Sequence, residues 1–118
     1  MRKILSSMAL FAAMAAANPA WAHAFLDHAN PRVGSTVPTA PRELTLSFTQ
    51  NLEASFSTVT VTGPGGTVSQ GKPQISGNTM RVGLKALSPG TYHVRWRALS
   101  VDTHTTQGSF TFRVGGGT

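Results

Sequence analysis

The chain has 118 residues, no cysteine, and ten Lys/Arg against four Asp/Glu, for a formal net charge of +6. Without cysteine it can form no disulfide scaffold, iron–sulfur cluster, thiolate zinc site or cysteine nucleophile. A 22-residue leader takes Arg2 and Lys3 with it and leaves 96 residues near +4, which is one domain with cations too dispersed for a nucleic-acid surface.

Residues 1–22 have the layout of a cleaved secretion signal. Arg2 and Lys3 form a positive start, Ile4 to Ala17 is apolar apart from Ser6 and Ser7, and Ala20-Trp21-Ala22 supplies a small-residue cleavage site. The apolar stretch is short for a membrane span of about 20 residues. The expected product is a soluble protein in the periplasm, beginning at His23. A cut after Ala24 also meets the small-residue rule and would discard that histidine. Pro19, close upstream, and the clean Ala20-Trp21-Ala22 pattern favour the cut after Ala22.

Beyond the leader the pattern is that of strands. A first strand is predicted around Ala24 to His28, followed by a long connection containing Pro38 and Pro41. Leu44, Leu46 and Phe48 then alternate with polar residues, as do Val59 and Val61 before the turn Gly63-Pro64-Gly65-Gly66. A weak strand near Lys72 to Ile75 precedes Met80, Val82 and Leu84. The longest alternation is Tyr92, Val94, Trp96 and Ala98 against His93, Arg95 and Arg97, and Phe110, Phe112 and Val114 close the series. About seven strands with one apolar face each predict an all-β, Greek-key sandwich of the immunoglobulin-like kind. The domain boundaries follow: signal 1–22, sandwich 23–114, and a flexible glycine-rich tail 115–118.

Few residues can carry chemistry. No paired carboxylates are placed for glycoside hydrolysis, no Gly-x-Ser-x-Gly nucleophile turn occurs, and the glycine turn at 63–66 opens no helix for phosphate. Asp102-Thr103-His104 remains. In extended backbone, residues two apart share a face, so Asp102 and His104 can converge. Alone, such a pair is more often a surface turn. Cleavage before His23 adds a free amine and an imidazole, and three nitrogens with one oxygen suit Cu(II) better than Cu(I). Met80, the one methionine left after the leader, falls on the apolar phase of its strand, so it is assigned to the core. Imidazole ligands bind deprotonated, so copper affinity is expected to fall as pH drops through about 6.5. His28 faces away from His23 on an extended strand and reads as solvated or as an auxiliary ligand. His93 reads as part of a solvated basic stripe with Arg95 and Arg97, or as part of a surface that docks to an acidic partner or a membrane.

These residues resemble the CopC-type periplasmic copper-binding proteins. The resemblance lies in His23-Ala24-Phe25-Leu26, Asn30-Pro31, Thr45-Leu46-Ser47-Phe48 and Tyr92-x-Val94-x-Trp96-Arg97. It continues through Leu99-Ser100-Val101-Asp102-Thr103-His104 and Gly108-Ser109-Phe110-Thr111-Phe112, and so covers essentially the whole mature chain. It implies an immunoglobulin-like sandwich with one Cu(II) held by the N-terminal amine, His23, Asp102 and His104. It implies no catalysis, a role in copper homeostasis and resistance, and a CopD-type inner-membrane transporter as protein partner. The methionine-rich Cu(I) loop of some members is missing, which predicts a single-site, Cu(II)-only form. A monomer is the expected state. Two rival classes stay open on sequence: a small copper oxidase or monooxygenase, and a metal-free adhesion-type sandwich.

Overall fold

The structure is a computed structural model and describes residues 24–116. The expected signal at 1–22, His23 and the last two residues of the tail lie outside the described residues.

Among the described residues the chain forms nine strands: β1 (Leu26–Asn30), β2 (Thr36–Val37), β3 (Glu43–Phe48), β4 (Thr58–Gly63), β5 (Gly66–Thr67), β6 (Ser69–Ser76), β7 (Thr79–Leu84), β8 (Gly90–Leu99) and β9 (Thr105–Val114). They form a four-stranded sheet in the order β1-β3-β7-β6 and a five-stranded sheet in the order β2-β9-β8-β4-β5. Every pairing is antiparallel except β2 with β9. The fold is the β-sandwich that the alternation predicts.

Seven of these strands correspond to the seven expected. The additional two, β2 and β5, are two residues long, too short for any periodic signal. Residues 36 and 37 interrupt the proline-containing first connection and run parallel to Arg113 and Val114. Gly115, at the start of the tail, donates its N–H to the Val37 carbonyl at 2.8 Å.

The inner faces of both sheets meet in one core. Leu44, Leu46, Met80, Val61, Val94 and Phe112 are completely buried. Phe48 from the four-stranded sheet meets the edge of Trp96 from the five-stranded sheet, with ring centroids 5.1 Å apart. Tyr92 stacks on Phe112 at 5.6 Å, and its hydroxyl donates to the Ser88 carbonyl at 2.6 Å. Burying an aromatic of this size, with its polar tip satisfied, makes it a strong anchor. Trp96 needs a glycine opposite it. Gly108 is its cross-strand partner, and a Cβ there would lie 2.6 Å from the indole ring. Trp96 and Met80 are thus core residues, as the strand phase predicts.

Candidate metal centre

Strand β8 runs to Leu99, and there the alternation stops. Ser100 bridges to Leu52, and the Val101 N–H donates to the Asn51 carbonyl at 3.1 Å. The chain then turns tightly. Thr103 N–H donates to the Ser100 carbonyl at 2.8 Å, and Thr103 takes a left-handed φ of 73°. Ser100 N–H donates to the His104 carbonyl at 3.0 Å, which closes the turn before β9 begins.

Asp102 and His104 therefore converge, but not through extended backbone. The left-handed residue between them changes the relative direction of their side chains from that of a strand. His104 Nδ1 lies 3.5 Å from Asp102 Oδ1, and each side chain is 46% exposed. A carboxylate and an imidazole thus stand together, open to solvent on one side.

The turn is braced from beneath by Ser100, which is fully buried. Its hydroxyl donates to Asp102 Oδ1 and accepts from the His104 N–H at 3.3 Å. This hydrogen bond from Ser100 holds the Asp102 carboxyl below its ordinary 3.8, against some desolvation and with help from His104. Ser100 was not among the candidate site residues taken from the sequence. The signal was present in Ser-x-Asp, because a serine two residues before an aspartate at a strand end is well placed for a local side-chain turn.

The N-terminal segment reaches the same end of the sandwich. Ala24 is completely buried, and its carbonyl accepts from the Thr106 hydroxyl at 2.5 Å, two residues past His104. Phe25 N–H donates to Thr49 Oγ1 at 2.9 Å, and Thr49 N–H returns a bond to the Phe25 carbonyl at 2.9 Å. Residues 24 and 25 are thereby fixed between the end of β3 and the start of β9.

Of the three expected ligands the structure brings together Asp102 and His104, while His23 lies outside the described residues. Among the described residues no group of three or more metal-binding side chains is gathered. His28 pairs with its neighbour instead, Nδ1 to Asp27 Oδ2 at 3.0 Å, beside an irregularity in the β1–β3 register. His93 sits on the outer face of β8 between Thr62 and Thr111, roughly 20 Å along the strand from the turn. Met80, the one methionine among the described residues, has no exposed surface, so no soft sulfur ligand reaches the site from them. Among the described residues, hard and borderline donors alone are therefore available at this turn.

Comparison with known proteins adds independent findings. The family model described as "CopC domain" matches residues 26–115. The chain is 34% identical to "Copper resistance protein C" of Xanthomonas campestris pv. juglandis, over 96% of each chain. It is 38% identical to "Protein YobA" of Escherichia coli (strain K12), over 80% of each. The solved structure of PcoC, a methionine-rich copper resistance protein from Escherichia coli, superposes with a TM-score of 0.70 at 35% identity. That match covers 79% of this chain and 99% of that one.

Proposed function

The chain belongs to the CopC family, and we propose that it is a periplasmic, non-enzymatic protein that binds one Cu(II) and sequesters it or passes it on in copper homeostasis. The ligands in this reading are the amine and imidazole of a mature N-terminal His23, the Asp102 carboxylate and the His104 imidazole. Copper is the cargo and the sandwich is the frame. Asp102 offsets part of the ion's charge, and the three nitrogens set the tetragonal preference.

The observation that carries this reading is the hydrogen bond from Thr106 to the Ala24 carbonyl. One peptide bond, about 3.8 Å between Cα atoms, joins residue 23 to a residue already held beside the Asp102–His104 turn. The cleavage that frees an amine would thus free it next to a prepared carboxylate–imidazole pair. Periplasmic residence rests on the leader pattern and the family. Among the described residues no helix is long and apolar enough to cross a membrane.

The test is to prepare two forms, one beginning at His23 and one with an extra alanine before it, and to record their Cu(II) spectra and melting curves. The first form is expected to bind one ion and to gain about 2.7 kcal/mol of stability when free copper is a hundredfold above Kd. The second is expected to lose the amine contribution and most of that gain. Identical spectra and melting curves for the two forms would overturn the assignment of His23.

A further inference from the structure

The outer face of the five-stranded sheet has a charge pattern that copper binding does not use. None of its five strands contains an aspartate or glutamate, whereas the four-stranded sheet carries Asp27 on β1 and Glu43 on β3. His93, Arg95 and Arg97 project outward in a row from its central strand β8, all exposed. Their cross-strand neighbours are neutral. Arg95 lies between Thr60 and Ser109, and Arg97 between Thr58 and Gln107. Among the described residues neither arginine takes part in an ion pair.

Thr58, Thr60, Arg95, Arg97, Gln107 and Ser109, together with Trp96 and Gly108, line an open groove of about 610 Å³. Two guanidinium groups two residues apart on one strand are spaced roughly 7 Å along it. Acidic side chains at alternate positions of an extended segment have the same spacing, and each can take a bidentate pair of hydrogen bonds from an arginine. Hydroxyls and an amide on the flanking strands offer further hydrogen bonds to a backbone lying in the groove.

We propose that this groove docks an extended acidic segment of a partner protein, with carboxylates at alternate residues facing Arg95 and Arg97. A lipid surface is the poorer match. The exposed large apolar residues Phe25, Val33, Phe56 and Val101 all lie outside the five strands of this sheet. The strands of this face therefore present no exposed large apolar side chain to insert beside their cations.

The probe is a peptide of alternating glutamate and threonine, titrated into the whole protein at low and at physiological salt while backbone amide shifts are followed. Shifts are expected on β4, β8 and β9, with binding weakened by salt. The double variant Arg95→Gln/Arg97→Gln is expected to weaken binding at least about tenfold. Lys72→Gln/Arg81→Gln, which removes two charges from the other sheet, is expected to leave it unchanged. Equal losses in both variants, no loss in the first, or binding to phosphatidylglycerol vesicles without binding to the peptide would overturn the proposal. Cu(II) titration of the same variants keeps this result separate from the metal site, which lies on the turn and not in the groove.

Discussion

Strand β8 and the turn that follows it obey different rules within fifteen residues. From Tyr92 to Ala98 every second side chain is buried, and position is dictated by phase alone. From Ser100 to His104 phase no longer decides. A serine is fully buried, a threonine is left-handed, and two ionisable side chains stand half-exposed on the same side. The strand places its residues by collective packing, and the turn places them by a handful of directed hydrogen bonds. Perturbations should therefore split cleanly between stability and chemistry.

The largest effect should come from the strand. Trp96→Ala removes the ring that joins the two sheets and is expected to cost about 3–5 kcal/mol of unfolding free energy by urea titration. His104→Ala acts at the opposite limit. Its unfolding free energy should stay within about 0.5 kcal/mol, while Cu(II) affinity falls at least roughly 100-fold, the upper range for losing even an outer partner. Isothermal titration calorimetry against a competing chelator would read that loss. If His104→Ala were as destabilising as a core truncation, the division between strand and turn would be wrong. Gly108→Ala is the intermediate case. It drives a methyl group into the indole of Trp96 and should cost about 1–3 kcal/mol without changing the ligands themselves.

Ser100→Ala should give the smallest but most specific signal. The hydrogen bond from Ser100 lowers the Asp102 pKa on folding, so the stability it contributes is intact above about pH 3.8 and lost as pH falls through the lowered folded value. Removing the hydroxyl should move the Asp102 titration midpoint up toward 3.8, as followed by carboxyl carbon shifts. It should also weaken Cu(II) binding by about tenfold, because the carboxylate loses its orienting partner. An unmoved midpoint would show that the serine braces only the backbone.

The same division explains what could be read in advance. Strands β3, β4, β7, β8 and β9 were legible because a half-buried strand must alternate, and Leu44, Val61, Met80 and Phe112 had little choice of side. Strand β6 was only faintly legible, since Gly71 and Pro73 break its pattern where its pairing with β7 becomes irregular between Gln70 and Gln74. The Asp102–His104 pair was found from spacing, yet the geometry assumed for it was that of a strand. The actual convergence depends on the Thr103 conformation and the buried hydroxyl of Ser100, neither of which leaves a periodic trace. The clasp between Thr106 and Ala24 joins residues 82 positions apart. Only folding reveals a contact of that kind.

Strand β9 leaves the turn at Thr105 and ends at Val114, roughly 30 Å away at the other pole of the sandwich. Ala24 is tied to the first pole and Val114 marks the second. An affinity handle or fluorophore should therefore be fused behind Val114, where it stands clear of the proposed ligands. The same addition ahead of residue 23 would cap the very amine under study.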